Sequence, residues 1–307
     1  MSADTPSLKD RLLQLIFRRY YRWRLQHFVA PRYLLLLEYW PKLESRYGEG
    51  RPPLAGLAPL FSAGDRRFEE TLRSFAPFRN DLQRIAEAPP RSPTAPFWGN
   101  TWLTGLDAIA LYGLLAVHRP TLYLEVGSGN STKFARRAIH DRRLPTRIVS
   151  VDPEPRAEID TLCNEVIRQR LEDVDLVLFD RLEAGDMLFI DNSHRVFQGG
   201  DVTVFFLEVL PRLKPGVLVH VHDIFLPFDY PLIWKERHYS EQYMLAAYLL
   251  GGSRRLELLL PVPYVEKHAT LGPLIENTWN DEVFQRAFAL NRKVAGYIGT
   301  SCWFRTT

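Results

Sequence analysis

Cysteine is scarce. Cys163 and Cys302 are the only two in 307 residues. They show neither metal-ligand spacing nor a disulfide framework, which points to a reducing compartment and a cytoplasmic location. Long apolar runs are also missing. The longest near the N-terminus is Tyr33–Leu37, far short of the roughly 20 residues a membrane helix needs. Residues Met1 to Pro6 carry no charged segment leading into an apolar core, so a secretory signal is not expected. There is no internal repeat and no low-complexity tract. An excess of one charge is lacking too: a formal net charge of +3 gives no support to nucleic-acid binding.

What is present falls into three regions. Residues 1–90 read as a helical, basic cap or extension, and residues 91–307 as the main domain. Ser7 and Asp10 fit a helix-start capping box. Leu8, Leu12, Ile16, Tyr20 and Trp23 then recur on one helical face. Arg11, Arg18, Arg19 and Arg22 fall largely on the other face. Between Lys9 and Arg46 there are nine Lys/Arg against three acids, Asp10, Glu38 and Glu44. A basic amphipathic helix of this kind suits packing on the core with a solvated face, or contact with a membrane surface or a protein partner. Ala88–Pro96 holds four prolines and reads as a linker or rigid loop.

Residues 97–262 alternate β-branched runs with helical stretches, the rhythm of βαβ units on a parallel sheet. Strands are expected near Thr121–Val126, Arg147–Val151, Glu165–Arg168, Met187–Ile190 and Val217–Val221, with a helix over Asp173–Leu182. After Gly251 and Gly252 the pattern changes. Leu256–Pro261 reads as a sixth strand, Asp281–Asn291 as a helix, and Ile298–Arg305 as a last strand pairing antiparallel at the sheet edge. The fold class is therefore α/β, doubly wound and mostly parallel, with an antiparallel C-terminal strand.

The strongest local signal is the segment Leu122 to Thr132. A buried strand runs into Gly127-Ser128-Gly129, and helical pattern follows. In a doubly wound sheet this first βα turn lies at the topological switch point, where ligands bind. Its glycines let backbone approach a ligand without a Cβ clash. Asp152 ends the second strand, placed to accept hydrogen bonds from ribose hydroxyls. A pyrophosphate binder of the Rossmann type wants a third glycine where this chain has Thr132. Glu125 would repel a pyrophosphate but favour a sulfonium or ammonium group. Glu125, Gly127, Ser128, Gly129, Asp152 and Asp191 are thus expected to hold S-adenosylmethionine (SAM), with the segment Gln169–Asp173 beside the adenine.

Two further strands end on the same edge. Asp186–His194 carries Asp191 and His194; Gly216–Asp223 carries His220, His222 and Asp223. Neighbouring strands lie about 4.8 Å apart, so Asp191 and Asp223 can face one pocket beside the methyl donor. Close carboxylates repel unless they share a cation or proton. A divalent ion, Mg²⁺ or Mn²⁺, held by Asp191, His222 and Asp223 is one solution. His194 is then a candidate base on a substrate hydroxyl, with Asp191 beside it. Simpler readings stand next to these. Asp191 also suits a helix or loop cap, His220 a satisfied core histidine, and Asp201 the N-terminal acid of the helix Val202–Leu210. The aromatic stretch from Ile224 through Trp234, His238, Tyr239, Glu241, Gln242 and Tyr243 suits a substrate loop or a packed surface loop. Trp98–Asp107 suits a flap over the cofactor or plain packing.

The pattern Glu125-x-Gly127-x-Gly129 resembles motif I of class I SAM-dependent methyltransferases, and the stretch from Trp98 to Pro231 resembles the bacterial "methyltransferase 24" type. Asp191-Asn-Ser-His194 is similar to the D-x-x-H of metal-dependent sugar O-methyltransferases of macrolide biosynthesis. That resemblance implies a metal-binding Asp191, a basic His194 and an acid pair after the next strand. Asp223 matches the pair, and His222 stands where the family has Glu. The resulting expectation is methyl transfer from SAM to a small-molecule hydroxyl, of a sugar or secondary metabolite. Two rivals remain at this point: an oxidoreductase using NAD(P) or a non-haem iron held by two histidines and a carboxylate, and a non-catalytic SAM-fold scaffold docking a partner. Oligomerisation is left open.

Overall fold

Seven strands make one sheet in the computed structural model, in the order β3-β2-β1-β4-β5-β7-β6. The structure describes residues 43–252 and 255–307, with Lys9, Leu12, Leu15 and Ile16 in the N-terminal segment. The chain divides into two compact units, Met1–Glu44 and Ser45–Thr307. The expected Ser7–Asp10 helix start and the arginine face of the N-terminal helix lie outside the described residues. The short helices between 58 and 83 belong to the second unit, where Phe61, Phe68, Leu72 and Leu82 join its core. Among the described residues, no helix is long and apolar enough to cross a membrane.

The sheet grows outward from β1 (Leu122–Val126), every residue of which is buried. It pairs in parallel with β2 (Arg147–Val151) on one side and β4 (Met187–Ile190) on the other. β3 (Glu165–Ile167) extends the first side and β5 (Leu218–Val221) the second, both parallel. Strands covered on both faces need near-continuous apolar sequence; Met187–Ile190 supplies it, and Leu218–Val221 does so apart from His220. β7 (Cys302–Thr306) runs antiparallel between β5 and β6 (Leu256–Pro261). The order reverses at β1, so the ends of β1 and β4 open the crevice in which such sheets bind ligands.

Helices cover both faces. Gly105–His118 is buried around nearly its whole circumference, as its run of Leu, Ala and Ile requires. Asn130–Arg142 and Glu282–Ala295 are amphipathic. One expected helix differs. Asp173–Leu182 is a pair of 3₁₀ turns, Leu171–Asp173 and Leu176–Arg181, the second started by the Asp175 side chain accepting from Val177 N–H. Arg170, Val174 and Asp175 are extended, which breaks the segment into short pieces that 3₁₀ bonds satisfy. The last strand is also shorter than its sequence pattern. It begins at Cys302 because the amides of Thr300 and Ser301 bond to Asp107 instead of a neighbouring strand.

Asp186 fastens the lower edge of the sheet. Its carboxylate accepts from the amides of Thr121, Leu122 and Glu183 at 2.8–2.9 Å, tying the starts of β1 and β4 together.

Candidate active site

The glycine loop explains itself from the backbone outward. Gly127 has φ +79°, and a Cβ there would stand 1.8 Å from the carbonyl oxygen of Asp191. The glycine is therefore demanded by the end of β4 crossing beneath it. Gly129 has open space around its Cβ position. Its N–H bonds to Thr132 Oγ1 at 3.1 Å, so the residue standing in place of a third glycine holds the loop by its hydroxyl.

Glu125 lies under the loop, fully buried, and is not part of the cleft wall. Its carboxylate accepts from Thr132 Oγ1, from Ser131 Oγ at 3.1 Å and from Tyr123 OH at 3.2 Å. Burial pushes it up to about 8 against the pull of these hydroxyls. Asp152 does line the cleft. One carboxylate oxygen accepts from the N–H and hydroxyl of Ser128 at 2.8 and 3.2 Å, the other from Glu154 N–H at 2.8 Å. A carboxylate offers about four acceptor sites, so one remains for a ligand hydroxyl. Release of the Ser128 hydroxyl frees a second.

The cleft has a volume of about 510 Å³ and runs across the carboxyl ends of β1, β2, β4 and β5. Asp191, His194, His222 and Asp223 all line it, together with Gly127 and Ser128. His194 Nε2 lies 3.2 Å from Asp191 Oδ1 and 3.5 Å from Asp223 Oδ2. His222 Nδ1 lies 3.3 Å from Asp223 Oδ1 and 3.7 Å from Asp191 Oδ1. Behind each imidazole stands another buried acid. Glu241 Oε2 is 2.9 Å from His194 Nδ1, and Asp107 Oδ2 is 3.6 Å from His222 Nε2. Acids and imidazoles thus alternate from Glu241 to Asp107. Asp191, with 36% of its side chain exposed, is the member most open to the cleft.

Electrostatics follow from this alternation. Burial alone would discharge His194, but Asp191, Glu241 and Asp223 outweigh it and raise the ring well above the ordinary imidazole range. In His222 burial is likewise opposed, chiefly by Asp223 and Asp191, leaving the ring at about 9. Asp191 would be raised by burial, yet His222 and His194 hold it below the usual carboxylate range. The repulsion between Asp191 and Asp223 is therefore relieved by two imidazolium groups.

That compensation bears on the expected divalent ion. Asp191, His222 and Asp223 do meet, but each carboxylate is already engaged by imidazole nitrogens, and Asp223 Oδ1 also accepts from Thr300 Oγ1 at 2.9 Å. Among the described residues, no group of three or more His, Cys, Asp or Glu side chains could hold a metal ion. In this arrangement the donor set does not fit Mg²⁺ or Mn²⁺.

The other sequence candidates take different places. His220 points into the core, stacked 3.8 Å from Phe189 with Nε2 2.7 Å from Ser301 Oγ. Burial and the charge of His222 lower it well below the ordinary range. Asp201 opens its helix and also receives the N–H and hydroxyl of Ser193 at 2.8 and 2.6 Å, pinning the turn that carries His194. Arg170, Leu171 and Glu172, within the expected adenine segment, line the cleft. Trp102 stands at its rim, 54% exposed, under the Arg156 guanidinium at 4.2 Å. From the aromatic stretch, Trp234 and Tyr239 line the cleft, whereas Gln242 is buried and binds Phe225 N–H and the Phe228 carbonyl.

Glu241 and Asp107 fall in the stretches read as a substrate loop and a cofactor flap, but neither was legible as a partner of a histidine, and Thr300 was not legible as a site residue. Glu241 sits 47 positions from His194, with no local motif joining them. The one available signal was an acid at the start of the helix Glu241–Leu250, which reads equally as a first-turn charge.

Residues 124–224 match a family model described as a methyltransferase domain. No curated protein matches the chain. Solved structures show similarity at low identity. One is the O-methyltransferase TomG from Streptomyces achromogenes, involved in tomaymycin synthesis and in complex with SAM. It is 18% identical, covering 62% of this chain and 81% of that one, with a TM-score of 0.35. An O-methyltransferase from Bacillus cereus in complex with SAH is 16% identical over 66% and 88%, with a TM-score of 0.33. The SAH-bound Podospora anserina methyltransferase PaMTH1 is 13% identical over 85% and 100%, with a TM-score of 0.32.

Proposed function

We propose that this chain, whose residues 124–224 match a family model described as a methyltransferase domain, transfers a methyl group from SAM to a hydroxyl of a small-molecule acceptor, with Asp152 and the Gly127–Gly129 loop holding SAM and His194 receiving the acceptor's proton. The observation that carries the reading is one cleft joining the glycine loop and Asp152 to the His194 cluster.

The chemistry balances without a further reactant. The acceptor oxygen forms a bond to the sulfonium methyl, the carbon–sulfur bond breaks onto sulfur, and the hydroxyl proton passes to His194 Nε2. Much of the acceleration comes from alignment of oxygen, methyl and sulfur. Glu241 at Nδ1 orients the ring and stabilises the imidazolium that forms. Only the neutral ring can accept a proton. Because the cluster raises His194 well above the ordinary range, activity rises with pH through that ionisation. Asp191, between the ring and the open cleft, is proposed to receive the hydroxyl first by hydrogen bond.

The test is calorimetric titration with SAM, with NAD⁺ and NADP⁺ as controls, with and without Mg²⁺ or Mn²⁺. SAM binding that disappears in Asp152→Ala supports the assignment and justifies a screen of hydroxylated acceptors. Binding of a nicotinamide cofactor without SAM binding would overturn it.

A further inference from the structure

Two guanidinium groups stand at the β4–β5 end of the cleft without a counter-ion. Arg195 and Arg237 both line it, and neither meets a carboxylate among the described residues. Arg156 and Arg170 at the other end of the cleft likewise show no carboxylate partner among the described residues, whereas Arg181, Arg212 and Arg292, away from the cleft, are paired with acids. Arg195 and Arg237 are nonetheless fixed. Arg237 ends the turn Leu232–Arg237 and lies 3.9 Å over the Trp234 ring, which is anchored through Nε1 to the Val294 carbonyl. Arg195 donates Nε–H to the Arg237 carbonyl at 3.0 Å and Nη1–H to the Ser193 carbonyl at 3.2 Å. Both guanidinium carbons sit near the Tyr239 ring, at 5.1 and 5.5 Å, and that ring packs 4.7 Å from His194.

Two like charges on one cleft wall repel, and an anion between them relieves that repulsion. Of the five N–H donors an arginine has, Arg195 commits two to carbonyls, and Arg237 commits none to a described acceptor. Both residues line the cleft, and a guanidinium fork with uncommitted donors matches carboxylate or phosphate oxygens. Among the described residues the acids on the same wall are not paired with either arginine: Asp201 receives the N–H and hydroxyl of Ser193, and Asp191 and Asp223 face the imidazoles. The position also separates the pair from the expected cofactor end. Asp152 and Arg170 follow β2 and β3, whereas Arg195 and Arg237 follow β4 and β5, on the opposite side of β1.

We infer that Arg195 and Arg237 form an oxyanion-binding subsite for the acceptor, so that the methylated hydroxyl belongs to a molecule bearing a carboxylate or phosphate. This rests on the methyl-transfer reading, and it gives the site a substrate class: hydroxylated carboxylates or phosphates rather than neutral hydroxylated molecules.

The experiment uses the full chain and three probes, inorganic phosphate, glucuronate and neutral glucose, titrated by tryptophan fluorescence at constant ionic strength. SAM is titrated separately and in the presence of each probe. Saturable binding of phosphate or glucuronate but not glucose is expected, weakened about tenfold or more in Arg237→Gln and in Arg195→Gln, with SAM affinity unchanged. Arg237→Lys, which keeps the charge and loses the fork, is expected to fall between. Phosphate alone, or glucuronate alone, narrows the class to that anion. No binding of either anion, or variants that bind as well as the native chain, overturns the inference. So does competition between SAM and the anions, which would assign the arginines to the carboxylate of the cofactor itself. If the anions bind through the arginines while SAM does not bind at all, the subsite stands and the methyl-transfer reading falls.

Discussion

Glu241→Gln isolates the group behind His194. The native carboxylate is fully buried, receives Asn192 Nδ2 at 2.9 Å on one oxygen and faces His194 Nδ1 at 2.9 Å with the other. Glutamine keeps the shape but can serve only one of them. If its carbonyl takes the Asn192 donor, its NH₂ confronts His194 Nδ1, which must then be an acceptor in a neutral ring. If it turns to serve the ring, Asn192 loses its acceptor. A hydrogen bond to an ionised group is worth about 1.5–3 kcal/mol. At about 1.4 kcal/mol per pH unit, the substitution moves the His194 titration down by roughly one to two pH units.

Two assays read the shift. NMR titration of the His194 ring protons, compared between the native chain and the variant, gives the midpoint directly. The rise of methyl-transfer kcat/KM with pH moves to lower pH by the same amount, with a lower plateau because the ring is a weaker base. Stability has its own sign. His194 is raised on folding, so its contribution is fully present below the unfolded value of 6.5 and lost as pH rises through the folded one. The variant loses that contribution over a narrower and lower range. An unmoved His194 midpoint in a folded variant would refute the reasoning.

Further outcomes follow from other contacts. Gly127→Ala adds a Cβ 1.8 Å from the Asp191 carbonyl oxygen at φ +79°. It should cost more than the roughly 1–2 kcal/mol of a left-handed residue and abolish SAM binding, as read by urea unfolding and calorimetry. Glu125 is raised on folding, from 4.5 to about 8. Its contribution is therefore complete below pH 4.5 and lost as pH rises toward 8, a slope that thermal melts should show in the native chain and not in Glu125→Gln. Asp186→Ala leaves three amides without their acceptor. At about 1–3 kcal/mol for an unsatisfied buried group, a several-degree fall in Tm is expected, whether or not SAM is present.

How far the sequence could be read depended on the range of each interaction. β2 and β4 end where their apolar runs end, because local pattern decides buried strands. The antiparallel edge was legible from the change of rhythm after Gly252. Gly127, Ser128 and Asp152 assemble as expected, since they lie at the ends of adjacent parallel strands. Glu125 sits on a strand whose alternation sends its side chain beneath the loop, to hydroxyls of the following helix. Asp107 and Thr300 are nearly two hundred positions apart, and no periodicity links them. Charge compensation at Asp191 and Asp223 was also beyond local reading. Two acids near each other imply a shared cation, but only three-dimensional placement shows that the cations are the neighbouring imidazoles.

That placement changes what kind of base the site can contain. A lone histidine near a methyl donor would titrate close to neutrality and be available without further arrangement. Here the ring is enclosed by Asp191, Asp223 and Glu241, which stabilise the product of proton transfer more than its starting state. On the proposed reading the resting imidazolium has to lose its proton before each transfer, and Asp191, 36% exposed, is the neighbour of the ring most open to the cleft. An anionic acceptor docked at Arg195 and Arg237 adds negative charge on the same side of the cleft and would hold the ring proton more tightly. Its hydroxyl, once hydrogen-bonded to Asp191, draws that carboxylate away from His194 and weakens one of the contacts that keep the ring charged. Acceptor binding and the ionisation of His194 are therefore linked. The sign of the linkage, seen as a shift of the His194 midpoint when glucuronate or phosphate is added, separates the two effects: upward if the charge of the acceptor dominates, downward if the displaced Asp191 does.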